Sequence, residues 1–539
     1  MAVPWRESKL GGAVGFVCFA AVAVALAAYL HLSLPNIPDR DALYHFRHAA
    51  LYREHGPLMS EFPWTAYSMV SKLGADIWYG FHLLLVPFTL DPDPVRGVKL
   101  AGVFDLAAML VLVYAAMRIA RVRLPFLWPL VVLSFAPYLL YRLLMTRPHV
   151  ISIGFAALLL ACTVEGSLWG IGLVSFAITW VHLGFFWVIA LVVGVVVFAK
   201  RITEAKWAWR EPLMALAGGL AGWVLRPNPI GAAKLVYIQI VQLAMEKQKG
   251  MPLLFGADLV SGLRSLEGQE GNFLRHFSPA LALWVLAALS LIVASVAGWR
   301  LSPRQRTCLW SSLVLSGVTL VMMMWFSLRA VDLLSVFTVT LAAGVWTWIA
   351  APEKGGKLRW GIPLNWRLAV GIVAIVAVML WRGASEHAGV MPKLGYSPTR
   401  MKLAAEWLAD NSAPGDIVFH AHWDLFPDLF FWNTKDKYIG GMDPIFQYAY
   451  DPALYWKAHH LYTGQFANYT CGEPMCDPSN SEDTFTVLQR DFRASYLVLE
   501  QKRHPRLLRY ALSDPHFHFV FDDGVIAVFS LVEGSDGGS

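Results

Sequence analysis

Charge is what this chain has least of. Only 15% of its 539 residues are Asp, Glu, Lys or Arg, while 57% are hydrophobic, and the mean hydropathy is +0.49. A soluble globular chain carries about 25% charged residues, so that class is excluded. Cysteine is scarce too, five in all: Cys18, Cys162 and Cys308 stand alone in apolar runs, where a thiol is a small packing residue. No Cys-x-x-Cys pair is present on which to build a zinc module. Internal repeats and paired broken helices are missing, which counts against an inverted-repeat transporter. The formal charge of +6 does not describe a nucleic-acid surface, because the basic residues flank apolar runs and membrane topology accounts for them.

Long apolar runs are what the chain has in quantity. About 17 to 25 residues cross roughly 30 Å of hydrocarbon, and runs of that kind recur up to residue 382 and then stop. The expected spans are 12–32, 99–118, 125–142, 149–165, 168–181, 183–199, 212–226, 279–298, 308–327, 331–350 and 366–382, about eleven in all. The apolar segment 77–90 is short and contains His82 and Pro87. Read as a hairpin on the outer leaflet, it leaves Arg118, Arg121 and Arg123, then Lys200 to Arg210, Arg300 to Arg306 and Lys354 to Arg367 on the side of Arg6 and Lys9. That is the arrangement the positive-inside rule requires. The expectation is a polytopic α-helical membrane protein: a transmembrane module over 1–382 with a cytoplasmic N-terminus, and a soluble α/β domain over 383–539 on the outer side.

Two outer loops are long. The first, 33–98, opens with Pro38-Asp39-Arg40-Asp41-Ala42-Leu43-Tyr44-His45-Phe46-Arg47-His48; the other, 227–278, holds an amphipathic stretch, Ala232 to Met245, and a Gly-rich run, Gly256 to Gly271, that reads as a lid or a disordered segment. In the tail, Ser397-Pro398-Thr399 starts a helix, and Ile417 to Phe419, Tyr496 to Leu499 and Val525 to Phe529 read as strands. Cys471 and Cys476, with four residues between them, suit a small disulfide in an oxidising compartment.

Ionisable residues at membrane depth are costly and are candidates for function. On the expected outer face these are Asp39 and Asp41, Arg142, Arg147 and His149, His182, Arg226, and Arg329 with Asp332. Arginine forks hold phosphate oxygens, and a carboxylate can accept a proton from an attacking hydroxyl. Plainer roles exist for the same residues. An aspartate caps helices, Arg142 can snorkel to the headgroups, and Arg329 with Asp332 can pair at i, i+3.

Asp41-x-x-Tyr44-His45-x-Arg47 at the end of a first span resembles the first-loop signature of the large membrane glycosyltransferases of the C-type (GT-C) fold, above all the catalytic subunit of archaeal and bacterial oligosaccharyltransferases. The tail run from Ala404 to His420, with His422-Trp423-Asp424 and Gly440-Gly441-Met442-Asp443, is similar to the outer domain of bacterial members. The resemblance implies a cell-envelope enzyme of the bacterial inner membrane with a periplasmic C-terminal domain. Its donor would be a polyprenyl-phosphate sugar and its acceptor a glycan, lipid or protein. Asp41 falls on the catalytic carboxylate with Asp39 beside it, and Tyr44, His45, Arg47, Arg147, His149, His182, Arg226 and Arg329 on the substrate side. Oligosaccharyltransferases add a divalent metal, Mg or Mn, through a second acidic motif. Here the second outer loop, Arg142 to His149, has no carboxylate, so the expectation is a monophosphate donor and no metal ligand set. The Trp-Trp-Asp peptide-reading motif is matched only by His422-Trp423-Asp424, which turns the expectation away from asparagine glycosylation. A flippase for lipid-linked saccharides and a glycan polymerase or ligase remain as rival readings.

Overall fold

The computed structural model describes residues 9–249, 272–296, 301–349, 364–464 and 467–532. The chain forms two units: Met1–Pro38, Arg96–Leu225 and Ala257–Gly395 make the first, and Asp39–Val95, Arg226–Gly256 and Tyr396–Ser539 the second. The first external loop is thus grouped with the tail.

The first unit is a bundle of apolar helices. Among the described residues eight helical segments are long and apolar enough to cross a bilayer: Gly12–Leu32, Pro94–Ile119, Pro148–Glu165, Leu183–Glu204, His276–Val293, Pro303–Trp325, Leu328–Trp348 and Val370–Lys393. Three of the expected spans fall short. Residues 125–142 are two helices, Leu127–Leu133 and Pro137–Leu143. Ala136 is extended ahead of Pro137, because a proline ring disfavours helical backbone in the residue before it. Leu168–Val181 and Arg210–Val224 are only 14 and 15 residues long. These two pack backbone to backbone. A Cβ on Gly218 would lie 2.1 Å from the Gly172 carbonyl oxygen, and the Thr179 hydroxyl donates to the Gly219 carbonyl at 2.9 Å. Small residues that admit such close approach are a membrane-helix packing device. Pro148–Glu165 is the most enclosed of the eight, with 83% of its apolar window buried, against 22% for Gly12–Leu32. The latter turns Phe19, Ala23, Ala27 and Leu30 inward, the 3.6-residue spacing of a helix buried on one face.

The second unit is built on a mixed sheet. Its strands are β1 (Ile417–His420), β2 (Lys437–Tyr438), β5 (Ala494–Glu500), β6 (Phe517–Asp522) and β7 (Ile526–Leu531), while β3 (Tyr469–Thr470) and β4 (Glu482–Asp483) form a separate pair. The order is β2-β1-β5-β7-β6, parallel across β2, β1 and β5 and antiparallel from β5 through β7 to β6. The central strands are near-continuous apolar runs, as burial on both faces demands. Helix Lys402–Asn411 follows the expected start. Cys471 and Cys476 are disulfide-bonded with their Cα atoms 5.6 Å apart. The amphipathic stretch is the helix Pro229–Tyr237, continued through a π turn, Ile238–Gln242, into Leu243–Gln248. The Gly-rich run read as a lid lies outside the described residues.

The first loop completes this sheet. Tyr438 donates its backbone N–H to the Trp64 carbonyl at 2.8 Å, and Ala66 returns one to the Tyr438 carbonyl at 2.7 Å, so residues 64–67 lie along the outer edge of β2. The Trp64 indole donates to the Thr434 carbonyl at 2.8 Å and the Tyr67 hydroxyl to the Phe492 carbonyl at 2.8 Å. Arg40 is buried among three carboxylates: Asp424 at 3.4 Å, Asp428 at 3.6 Å and Glu500 at 3.6 Å. It also lies 4.5 Å from the centroid of the Tyr396 ring.

Asp428 and Glu500 are buried and Asp424 is half-buried; Arg400 shares Glu500 at 3.2 Å and Arg503 shares Asp424 at 3.0 Å, while Asp428 is left with Arg40 at 3.6 Å. Burial pushes Asp428 up to about 7, with Arg40 only partly opposing it. A carboxyl raised above its unfolded value binds its proton more tightly in the folded state. Stability therefore declines as pH climbs from the ordinary carboxylate range to about 7, and the penalty is complete above that. Asp428→Asn, which cannot ionise, is expected to flatten the decline in thermal midpoint of the detergent-solubilised protein between about pH 5 and pH 8. An unchanged pH slope would show that Asp428 does not titrate there.

Candidate functional site

The helix Asp41–His55 carries the first-loop signature. Asp41 in its first turn and Arg53 and His55 in its last suit the helix dipole, and Gly56, at φ 91°, ends it. The N-cap residue is Arg40, whose own side chain makes no capping hydrogen bond. Asp39 is buried, and Asp41 is partly exposed.

Spacings of three and four place Asp41, Tyr44, His45, His48 and Tyr52 along one stripe of this helix. Below Asp41 the stripe is buried and hydrogen-bonded. The Tyr44 hydroxyl meets His48 Nδ1 at 2.9 Å, and His45 Nδ1 meets His82 Nε2 at 2.8 Å. The other nitrogen of His82 is 2.6 Å from Asp76 Oδ2, and Tyr52 donates to that same oxygen at 2.9 Å. Burial pulls the Asp76 carboxyl upward, but His82, His48 and the hydrogen bonds outweigh it and hold it below the usual carboxylate range. Burial first, and then His82, lower His48 to about 3, so its ring is neutral. Gly74, at φ 53°, turns the chain towards Asp76 at a point where a Cβ would lie 2.6 Å from the Ser60 carbonyl oxygen. Arg226 donates to the Asp76 carbonyl at 3.2 Å, and Arg47 reaches the Thr434 hydroxyl at 3.1 Å and Glu54 at 3.3 Å. Asp39, Asp41, Tyr44, His45, Arg47 and Arg226 all belong to the second unit.

The remaining candidates lie in the first unit. Arg147 is the N-cap of helix Pro148–Glu165, and His149 is in its first turn. His149 is buried within electrostatic range of Arg142, Arg147, His182 and Arg329, so residues scattered over the sequence form one basic cluster. His182 ends helix Leu168–Val181 and stacks on Phe185 with centroids 4.5 Å apart. Arg142 does not snorkel. It is buried and bidentate to Asp332, Nε to Oδ1 at 2.8 Å and Nη2 to Oδ2 at 2.7 Å. Asp332 therefore pairs with a residue 190 positions away. Sequence reasoning passed over Asp105, a buried carboxylate on helix Pro94–Ile119. The backbone N–H groups of Arg147 and Ile151 act on it without reaching hydrogen-bond geometry. Its signal, one acidic residue inside an apolar run, was visible.

Among the described residues two groups of three His, Cys, Asp or Glu bring their ligand atoms within 4.8 Å of one another: His460, Cys471 and Cys476, and His48, Asp76 and His82. Neither includes Asp39 or Asp41, nor any of His420, His422 and Asp424. His420 turns both ring nitrogens to backbone carbonyls, while His422 and Asp424 engage Arg503.

The sequence matches no protein-family model and none of the curated proteins. Solved structures do match. The oligosaccharyltransferase AglB from Archaeoglobus fulgidus, in complex with an inhibitory peptide and a dolichol-phosphate, is similar over 96% of this chain and 74% of its own, with a TM-score of 0.58 at 10% identity. The same organism's oligosaccharyltransferase in complex with Zn and sulfate is similar over 95% of this chain and 73% of its own, with a TM-score of 0.56 at 10% identity. ArnT from Cupriavidus metallidurans, bound to undecaprenyl phosphate, is similar over 98% of this chain and 99% of its own, with a TM-score of 0.53 at 14% identity. The chain shares the fold of these oligosaccharyltransferase and ArnT structures.

Removing one member of a buried pair strands the other. Arg142→Met is expected to cost about 3–5 kcal/mol by leaving Asp332 uncompensated, and the double change Arg142→Met with Asp332→Leu to recover most of it. Unfolding of the three proteins in detergent checks this; a double variant no more stable than the single would remove the pair as the constraint.

Proposed function

We propose that this protein is an integral-membrane glycosyltransferase that moves a glycosyl group from a polyprenyl phosphate to an acceptor on the outer face of the membrane. The observation that carries the reading is the fold shared over nearly the whole chain with AglB in complex with a dolichol-phosphate and with ArnT bound to undecaprenyl phosphate. The basic cluster around His149, a set suited to a lipid phosphate, adds to it.

In this reading Asp41, with Asp39 beside it, takes the proton of the acceptor hydroxyl as its oxygen attacks the anomeric carbon. The bond from that carbon to the phosphate oxygen breaks, the lipid phosphate leaves with the electron pair, and the anomeric centre inverts. Arg147 and Arg329, with His149, His182 and Arg226, stabilise the phosphate as it gains charge. Tyr44, His45 and Arg47 act through the helix they hold, which fixes where Asp41 stands. Positioning and charge stabilisation make up most of the catalysis, because lipid phosphate is already a good leaving group. The donor is a monophosphate, and no step draws on a metal at Asp41.

Turnover of labelled polyprenyl phosphate and diphosphate sugars by the purified protein, with crude membrane acceptors supplied, tests this. The wild type is expected to release lipid phosphate from the monophosphate donors, and Asp41→Asn to lower the rate by about 10²-fold or more. A donor that binds and stays intact with both proteins would overturn the enzyme reading in favour of lipid flipping.

A further inference from the structure

The buried network under Asp41 brings two imidazoles and a carboxylate together. We propose that His48, Asp76 and His82 form a metal site for a first-row divalent ion, zinc foremost, that fastens the first-loop helix to the segment 76–85. Of their donor atoms, His82 Nδ1 is 2.6 Å from Asp76 Oδ2 and His48 Nε2 is 3.8 Å from the same oxygen. Two imidazoles and one carboxylate are the donors zinc takes in three-ligand sites, with a fourth position left to water. His48, Tyr52 and Asp76 line a small cleft together with Glu61 and Phe62, on the side where a water would complete the shell.

The surroundings separate this cluster from a chance meeting of polar groups. A metal-bound histidine is oriented through its other ring nitrogen, and a bound carboxylate by its own hydrogen bonds. Each of the three has such support. His82 Nε2 is held by His45 at 2.8 Å, and His48 Nδ1 by the Tyr44 hydroxyl at 2.9 Å. Asp76 Oδ1 accepts the Trp78 backbone N–H at 2.8 Å, and Arg226 donates to the carbonyl of the same residue. The nitrogens left facing inward are the two that a cation would use. Binding would splay the two imidazoles, which stack with centroids 4.2 Å apart, and bring His48 Nε2 onto the ion that Asp76 and His82 share.

The role is one of positioning. His48 lies two turns along the helix from Asp41, so an ion there fixes the stripe on which Asp41 stands without touching the reacting atoms. The inference does not rest on the proposed reaction and is tested by metal content.

The full-length protein, purified without a histidine tag, stripped with chelator, reloaded with zinc and desalted, is expected to retain about one zinc per chain by mass spectrometry. Retention should persist in His460→Ala with Cys471→Ser and Cys476→Ser, which removes the other candidate group, and fall to background in His48→Gln and in His82→Gln. Should the histidine variants not fold, X-ray absorption of the zinc-loaded wild type decides instead. Two imidazole nitrogens and a carboxylate oxygen at about 2.0–2.2 Å support the site, and a sulfur-containing shell overturns it. Background zinc in the wild type, or full retention in His82→Gln, likewise overturns it.

Discussion

Arg40 is the residue on which the second unit turns. It precedes the helix that bears Asp41 and is buried against Asp424, Asp428 and Glu500, which come from the segment after β1 and from the end of β5. Arg400 at Glu500 and Arg503 at Asp424 share the compensation with Arg40, for burying an arginine costs free energy and so does burying carboxylates. Each makes the other's burial tolerable, and the cost left over falls on Asp428. The same cluster binds the chain just ahead of the helix to the sheet, so the origin of the Asp41 stripe is set by electrostatics and its lower end by the His48, Asp76 and His82 network. The helix is held at both ends, a degree of fixation that the proposed role of Asp41 calls for.

The first unit solves the opposite problem, keeping charge at the edge of an apolar bundle. Arg142 and Asp332 cancel each other in bidentate geometry, beside His149 with Arg147, His182 and Arg329 in its electrostatic surroundings.

The layout was legible in the sequence wherever the signal was local. Apolar length and the placement of Arg and Lys gave eight of the spans, and short continuous runs of β-branched, aliphatic and aromatic residues gave β1, β5 and β7. The break at Pro137 was equally local and was outweighed by the hydropathy around it. The short helices Leu168–Val181 and Arg210–Val224 look like crossings by composition; their length is cut by His182 at one end and by the turn before Arg226 at the other. What could not be read was pairing at a distance. Arg40 finds Asp424 across 384 positions, and nothing near Arg40 announces three acidic partners. Tyr44 and His45 were legible as unusual but not as buried, because their partner His82 sits in a segment whose apolar character suggested only an interfacial hairpin.

Residues 64–67, laid against β2, bear on how the protein is made. Trp64 and its acceptor Thr434 are 370 residues apart, and Tyr67 and Phe492 are 425 apart. At about 5–20 residues per second, the first loop is finished roughly 20–70 s before the strand edge it will cover has been synthesised. For that interval its aromatic side chains, Phe62 and Trp64 among them, have no sheet to pack on, and when the tail arrives its β2 edge stays open until the loop docks. Biogenesis of this chain is therefore a wait followed by a late closure, in which an early segment is among the last to become native, and an interrupted tail would leave the first loop complete in sequence without the sheet edge it docks on.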